Sequence, residues 1–364
     1  MFVSVILPIR NEASSIAEVL RAVLNQDYSR DLIELIVADG MSDDGTREIV
    51  RELAEQDPRL RLLDNSRRTT SAGLNVAIRA ARGAVIVRGD GHGVLPPNYV
   101  RECVAVLSGA QGGQEEKQKV ESRKQKSEDE GDGRGTKVGP LLVVGGALDS
   151  VGRGGVGEAI AIAMRSKFGV GNSPFRTLDS GEGLIQTDTV PYWAVRREAF
   201  ERIGLFREEM LCHEDYEFNY RLRSSGGMIL LLPWLRAKYY VRTTLGGLAR
   251  QYWRYGIWKG RFLRSHPKSL RARHLIPPVF VGVLGVCAVA ALSGKAGLLC
   301  LGLWLGLYGC FLLLATASLA RGGRWGYAPL LPLALAILHL CWGCGVWVGL
   351  LRGKVAGQPP RLSK

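Results

Sequence analysis

Two side chains of the kinds that bind divalent cations flank a glycine at the end of an apolar run. Residues 87–93, VRGDGHG, end the run GAVIV and place Asp90 and His92 on either side of Gly91. A carboxylate and an imidazole at this spacing form a candidate metal-ligand pair. Imidazole suits Mn²⁺ better than Mg²⁺, which strongly prefers oxygen. The alternative is that His92 is a hydrogen-bonding loop residue, which is a common role for histidine.

A second group of acids stands in the segment LCHEDYEFNYRLRSSGG. Its pattern predicts a helix with His213, Glu214, Asp215 and Glu217 in the first turn and an end at Gly226. Acids at a helix start interact favourably with the helix dipole, so capping accounts for Glu217. Capping accounts less well for Glu214 and Asp215, because polar residues upstream are already predicted to face a ligand.

The elements that position these residues alternate between strand and helix over the first 107 residues. This alternation predicts right-handed βαβ units and a parallel sheet. Ligands of such sheets bind at the carboxyl ends of the strands. The residues predicted at those ends, 8–12, 39–44 and 90–92, are mostly polar.

The C-terminal quarter has the composition of a membrane-associated segment. Its three apolar runs, residues 276–293, 297–318 and 330–351, are each near the roughly 20 residues that a helix needs to cross a bilayer. Residues 218–364 hold twenty Lys and Arg and no Asp or Glu, and the remaining 28 basic and 34 acidic residues give residues 1–217 a net charge of −6. We therefore expect contact with anionic lipids. No nucleic-acid-binding signature accompanies the basic residues, so nucleic acid is not an expected partner.

A glycine motif resembles a dinucleotide-binding fingerprint. Gly152, Gly154 and Gly157 match GxGxxG after a strand-like run. The residues ALDSV are predicted to separate the motif from the strand, and no acid closes a clear second strand about 20 residues later. These features disfavour a nicotinamide or flavin site.

Several ordered segments of the sequence resemble glycosyltransferase family 2, inverting enzymes of GT-A fold. They are SVILPIRNE at 4–12, IVADGMSDDGT at 36–46, GLNVAIRAARGAVIVRGDGH at 73–92, YWAVRREAFERIGLFREE at 192–209 and HEDYEFNYRLRSSG at 213–226. With the downstream QYWRYG, they look most like the membrane-bound exopolysaccharide subgroup, as in succinoglycan synthesis. The resemblance implies an α/β fold with a GT-A nucleotide-sugar-binding mixed sheet flanked by helices, then an interfacial helix and about three C-terminal transmembrane helices.

The resemblance also implies roles for individual residues. Asp90 corresponds to the first acid of the family's DXD motif, and His92 occupies the place of its second acid. Asp215 matches the family's general base, with Glu214 beside it. The nucleotide-sugar site would include Pro8, Arg10, Glu12, Asp39, Ser42, Asp44 and Asp90.

The stretch QYWRYG at 251–256 is close to the QxxRW signature of processive polysaccharide synthases. That likeness places Gln251 and Arg254 near the donor diphosphate and Trp253 or Tyr255 against the acceptor sugar. The alternative, which is compatible with the first, is a basic aromatic helix at the membrane surface.

The resemblance implies a domain organisation as well. We expect a GT-A catalytic domain at 1–240 with a disordered charged insertion at 110–137, a basic aromatic interfacial segment at 241–275, transmembrane helices at 276–351, and a tail at 352–364.

The implied function is transfer of a hexose from a UDP-sugar to a lipid-linked saccharide, with a divalent cation on the diphosphate and inversion at the anomeric carbon. The alternatives are a polyprenyl-phosphate glycosyltransferase, a processive synthase and a catalytically inactive binding module tethered to the membrane. The basic cluster before residue 276 predicts a cytoplasmic catalytic domain at the inner membrane. Three spans would place Arg352 on the far side, against the same rule. Either one run is re-entrant or the rule is overridden.

Overall fold

The computed structural model describes residues 1–109, 141–178, 181 and 183–353. The charged insertion predicted at 110–137 and the tail beyond residue 353 lie outside the described residues.

The first half of the chain forms a parallel sheet, as predicted. Strand β1 (Val3–Ile9) pairs with β2 (Ile33–Asp39) and β4 (Val85–Arg88), and β2 pairs with β3 (Leu60–Asp64). Strands β1, β2 and β4 are buried along their whole length, because helices cover both faces of the sheet. The helices of the crossovers are α1 (Ile16–Leu24), α2 (Thr46–Gln56) and α3 (Thr70–Ala80).

The sheet then continues with strands of both directions. Strand β8 (Ala194–Arg196) pairs antiparallel with β4 and with β6 (Leu142–Val151), and β6 pairs parallel with β9 (Met228–Tyr240). The short strands β5 (Gly93–Val94) and β7 (Ile185–Gln186) pair with β9. The mixed sheet predicted for the fold is therefore confirmed.

Ten helices follow the first crossovers among the described residues. They are α4 (Tyr99–Leu107), α5 (Gly154–Arg165), α6 (Lys167–Val170), α7 (Pro174–Thr177), α8 (Glu198–Ile203), α9 (Glu214–Ser224), α10 (Leu245–Ser265), α11 (Ala272–Ala291), α12 (Lys295–Ala320) and α13 (Leu331–Leu351).

A cluster of aromatic rings supports the sheet beneath α9. Trp193 is fully buried, and its ring stacks on Phe206 at 5.7 Å and on Phe218 at 6.0 Å between centroids. Phe200 packs at a tilt against the same rings. Stacking of this kind fixes ring orientation in addition to burying area. The indole N–H of Trp193 is thus held in one direction.

Three helices are long and apolar enough to cross a membrane in the described part of the chain: Arg273–Ala291, Lys295–Ala320 and Leu331–Leu351. Helices α11 and α12 form a hairpin, in which Phe280 lies 4.4 Å from Tyr308 between ring centroids. Helix α13 packs against α10 and also against the hairpin, where the Trp347 Nε1–H donates to the Pro278 carbonyl at 2.8 Å.

The contact between α10 and α13 is made by four glycines. A Cβ added to Gly256 would lie 2.4 Å from the Trp342 carbonyl oxygen, and one on Gly260 would lie 2.2 Å from that of Val346. Gly345 and Gly349 approach α10 equally closely. Two GxxxG motifs therefore face each other and let the helix backbones touch.

The glycine motif at 152–157 proves to follow its strand directly. Strand β6 extends to Val151, so the predicted separation of the motif from the strand is wrong. The turn is nevertheless a poor phosphate site, because the Gly152 N–H donates to Glu158 Oε2 at 3.3 Å. A carboxylate lies where a pyrophosphate would bind.

Candidate active site

A cavity of 1280 Å³ opens at the carboxyl ends of β1 and β4. This volume exceeds that of a usual single-ligand pocket, which is up to about 1,000 Å³. The predicted site residues that line it are Pro8, Arg10, Glu12, Asp90, His92, Glu214, Asp215, Gln251, Arg254 and Tyr255. Residues more than 240 positions apart in sequence thus face one space.

Arg88, the last residue of β4, connects the two acidic motifs. Its guanidinium is buried; Nη2 lies 3.0 Å from Asp90 Oδ1 and 3.2 Å from Glu214 Oε1, and Nη1 pairs with Asp215. Burial alone would lower the pKa of Arg88, but the three carboxylates outweigh it and raise that pKa well above its ordinary value. One fixed positive charge therefore holds all three acids in place.

Glu214 and Asp215 begin α9 and differ in how they are stabilised. His213 precedes them with a positive φ of 62°, outside the helix, whereas the sequence predicted it in the first turn. Burial and the charge of Asp215 raise the pKa of Glu214 to about 7. Burial also raises the pKa of Asp215, but Arg88 and the Trp193 Nε1–H, 2.8 Å from Oδ1, counteract it. The two acids therefore titrate as a coupled pair, in which Arg88 and Trp193 oppose the effect of burial on Asp215.

His92 is oriented by Glu12, whose Oε1 lies 2.8 Å from Nδ1. A carboxylate on one ring nitrogen directs the other toward a metal in many metal sites. Burial alone would lower the pKa of His92, but Glu12 more than offsets it and the pKa rises to about 9. Gly91 leaves the space that the Glu12 side chain occupies, since a Cβ on residue 91 would lie 2.6 Å from Glu12 Cγ. Without a metal the His92 ring is therefore protonated at neutral pH, and a divalent cation such as Mn²⁺ held by Asp90 and His92 would displace the proton from the ring nitrogen that binds it.

Asp39, Ser42 and Asp44 do not line the cavity among the described residues. They form the turn after β2 that holds the turn after β1. The Asn11 N–H donates to Ser42 Oγ at 2.9 Å, and the Ala13 N–H donates to Asp44 Oδ2 at 3.1 Å. Asp39 is fully buried and accepts from Arg47, Nη1 to Oδ2, at 2.7 Å. In this structure, the three residues position the segment that carries Arg10 and Glu12.

Two side chains of QYWRYG on helix α10, Gln251 and Tyr255, approach His92 through Tyr239. Gln251 Nε2 donates to Tyr239 Oη at 3.3 Å and to Tyr255 Oη at 3.0 Å. The Tyr239 ring packs edge-on against His92 at 5.3 Å. Trp253 is 39% exposed and does not line the cavity among the described residues.

Sequence reasoning missed four residues of this site. Arg88 and Trp193 hold Asp215, Tyr239 joins His92 to α10, and Arg176 lies with its guanidinium 5.2 Å from the Tyr239 ring centroid. An arginine at the end of an apolar strand, two residues before Asp90, was a signal for Arg88. The other three gave no sequence signal, because their role depends on contacts between distant segments.

Comparisons with known proteins place this geometry in a family. The sequence profile of "Glycosyl transferase family 2" matches residues 4–120. The succinoglycan biosynthesis protein ExoA of Rhizobium meliloti (strain 1021) is 31% identical over 362 residues, covering 95% of this chain and 94% of that protein. A dolichyl N-acetyl-alpha-D-glucosaminyl phosphate 3-beta-D-2,3-diacetamido-2,3-dideoxy-beta-D-glucuronosyltransferase of Methanococcus voltae is 22% identical, covering 97% and 98%.

Among solved structures, the fold is similar to a mannosyltransferase of Pyrobaculum calidifontis in complex with GDP-Man and Mn²⁺. That likeness has a TM-score of 0.54 and 23% identity, and it covers 92% of this chain and 86% of the other. It supports the GT-A fold. Together with the relative from Rhizobium meliloti, these findings show that the chain belongs to glycosyltransferase family 2.

Proposed function

We propose that this glycosyltransferase transfers a hexose from a UDP-sugar to a lipid-linked saccharide, with inversion, in exopolysaccharide or cell-envelope glycan synthesis. The observation that carries the proposal is the extent of the cavity. It runs from Asp90 and Asp215 to Phe280 and Phe311 on the apolar hairpin. One continuous space therefore serves a polar reaction centre and an apolar ligand segment.

Asp215 is suited to be the base. Displacement at the anomeric carbon needs a carboxylate that accepts the proton of the acceptor hydroxyl within hydrogen-bond reach. Arg88 and Trp193 fix Asp215 and favour its ionised form, against the effect of burial on its pKa. Direct attack opposite the leaving group converts an α-linked donor into a β-linked product.

Asp90 and His92 would hold a divalent cation, with Mn²⁺ favoured over Mg²⁺. When bound, the cation supplies Lewis-acid stabilisation of the leaving diphosphate. No cluster of three or more His, Cys, Asp or Glu that could hold a metal occurs in the part of the chain that the structure describes. Two protein ligands leave coordination positions for donor oxygens.

The apolar end of the cavity supports a lipid-linked acceptor. Phe168 packs on Phe311 at 6.0 Å, and Phe280 packs on Tyr308 beside them. Arg176 lines the same cavity and forms no ion pair among residues 1–109, 141–178 and 183–353, so its charge is available to an acceptor phosphate. The archaeal relative is named for a dolichyl-linked acceptor, which agrees with this chemistry. We place the enzyme in the inner membrane with its catalytic domain in the cytoplasm.

The test is transfer of radiolabelled sugar from UDP-sugars and GDP-mannose into a lipid extract by the purified chain in nanodiscs with Mn²⁺. We expect label on a lipid-linked glycan from one UDP-hexose. Label on lipid phosphate alone would indicate a polyprenyl-phosphate glycosyltransferase, and a ladder of lengths would indicate a processive synthase. Asp215→Asn is expected to abolish transfer and retain UDP binding, whereas unchanged function would indicate an inactive binding module.

A matched pair of variants tests the apolar end of the cavity. Phe311→Trp enlarges a side chain that lines the cavity, whereas Leu313→Trp enlarges one that is 67% exposed on the same helix. We expect Phe311→Trp to raise the KM for the lipid acceptor about tenfold and to leave UDP affinity unchanged. An equal effect of both variants would contradict a lipid in this cavity.

A further inference from the structure

Helix α13 is apolar enough to cross a membrane, yet it contacts the catalytic part of the chain at its start and its middle. Leu331, at its first turn, packs with Ala159 and Ile162 of α5. In the middle, His339 Nε2 lies 2.7 Å from the carbonyl oxygen of Phe168. One helical turn further, the Trp342 ring lies 5.9 Å from that of His213, the residue before α9.

The end of α13 lies against α10. Arg264 Nη1 donates to the Leu350 carbonyl at 2.6 Å, and Arg261 Nε donates to that of Gly353 at 3.3 Å. Helix α10 in turn packs on the catalytic part, where the Phe262 ring lies 5.5 Å from the Tyr216 ring of α9 between centroids. Both ends of α13 therefore lie beside the catalytic part, on the same side of the membrane.

Helix α10 cannot enter the hydrocarbon with α13. Over its 21 residues it carries Arg250, Arg254, Arg261 and Arg264. Charged side chains near the centre of a bilayer are strongly unfavourable. Since the glycine contacts keep the two helices backbone to backbone, the second half of α13 lies at the depth of α10.

The hairpin of α11 and α12 also contacts this region, through Phe311 on Phe168 at 6.0 Å between ring centroids and Tyr308 Oη at 3.0 Å from His339 Nδ1, but far more of it is exposed. Only 11% of the apolar stretch of α11 and 6% of that of α12 is buried in the protein, whereas 39% of the apolar stretch of α13 is buried. Hydrophobic side chains exposed on this scale need lipid around them. The hairpin is therefore the part of the chain that projects into the bilayer.

We propose that the chain crosses the membrane twice, through α11 and α12, and that α13 lies in the plane of the membrane interface. Its inner face packs on the catalytic part, and its outer face, which includes Leu333, contacts the acyl chains of the near leaflet. An all-apolar helix fits this position, because protein covers one side and lipid the other.

The distribution of charge agrees with this topology. Two crossings keep Arg273, Arg321, Arg324 and Arg352 on the side of the catalytic part. Lys295 alone lies at the far end of the hairpin. The conflict between three spans and the positive-inside rule disappears.

The experiment places one small reporter, the eleventh strand of split green fluorescent protein, at three sites of the full chain in intact bacterial cells. The sites are the α11–α12 turn after Ser293, the α12–α13 turn after Gly323, and the C-terminus after Lys364. The complementing fragment is supplied in the cytoplasm. Retained UDP binding of each purified variant shows that the insertion leaves the nucleotide site folded.

We expect the reporters after Gly323 and Lys364 to give equal fluorescence and the reporter after Ser293 to give at least tenfold less. Dark cells for both Ser293 and Lys364, with fluorescence only for Gly323, would show that α13 crosses and would overturn the proposal. Fluorescence from all three sites would overturn it too, since the hairpin would then not span. The result does not depend on donor or acceptor.

Discussion

Replacing Arg88 by methionine removes a buried positive charge that contacts Asp90, Glu214 and Asp215, and keeps most of the side-chain volume. At an effective dielectric constant of about 20, a unit pair roughly 3 Å apart attracts by about 5 kcal/mol. Desolvation of the ions offsets much of this attraction. Deleting one partner of such a buried group still destabilises by about 3–5 kcal/mol, since the remaining charges are left uncompensated.

Two measurements follow the Arg88→Met change. The melting temperature in detergent is expected to fall by roughly 10 °C, because that is the shift that a loss of about 3–5 kcal/mol produces in a chain of this length. Transfer at pH 7.5 is expected to fall at least 100-fold and to recover partly toward pH 9, because loss of Arg88 raises the pKa of Asp215 further and leaves it protonated. Arg51→Met is the matched control, since Arg51 is 53% exposed and its ion-pair partner among the described residues is Glu48.

A double variant separates charge from packing. In the Arg88→Met background at pH 9, where the acids are largely ionised, Glu214→Gln removes one of three repelling carboxylates and is expected to restore part of the lost stability. At pH 6, where Glu214 is mostly protonated, the same change is expected to restore little. In the parent chain it removes a partner of Arg88 and gives no such gain. A melting temperature for Arg88→Met within 2 °C of the parent, or no rescue by Glu214→Gln at pH 9, would refute the account of Arg88 as the charge that holds the site.

Three further changes have defined outcomes. His92→Asp is expected to keep activity and shift the preference from Mn²⁺ toward Mg²⁺ in a metal titration, and full activity of His92→Ala with either ion would contradict its role as a ligand. Burial lowers the pKa of Lys259 to about 6, although the Tyr216 ring lies 3.5 Å from Nζ. The unfolded chain therefore binds more protons than the folded chain between pH 6 and 10.5, so the free energy of unfolding rises with pH over that range. Lys259→Met is expected to flatten that rise and to add on the order of 2 kcal/mol to the free energy of unfolding at pH 7.5. An unchanged dependence of unfolding on pH in this variant would disprove the assignment. Gly260→Ala forces a Cβ onto the backbone of α13 and is expected to lower both melting temperature and turnover, whereas Gly246→Ala, with open space around it, is the control; equal effects would show that the close contact is unimportant.

The sequence was most informative where the physical signal is local. Periodicity predicted the parallel half of the sheet, because buried β-branched runs and amphipathic helices alternate there. Asp90 and His92 were predicted from spacing at a strand end, and the structure brings both to the cavity. Apolar length alone predicted the three long C-terminal helices.

What the sequence did not reveal depends on contacts between distant segments. Asp39 was predicted to contact the nucleotide base, which stays a prediction; its ion pair with Arg47 is a contact that spacing did not reveal. The stacking that fixes Trp193 joins residues of three separate elements. Hydropathy also could not distinguish α13 from α12, because lipid and protein interior are equally apolar surroundings.

The glycine contacts between α10 and α13 also fix the position of the reaction centre relative to α13. Gln251 and Tyr255 line the cavity from the same helix that Gly256 and Gly260 join to its neighbour without any intervening side chain. If α13 lies at the membrane interface as proposed, Asp215 stands at a constant height above the lipid surface. A lipid-linked acceptor would then react only when its terminal hydroxyl reaches that height, and the fold would select acceptors by length in addition to sugar identity.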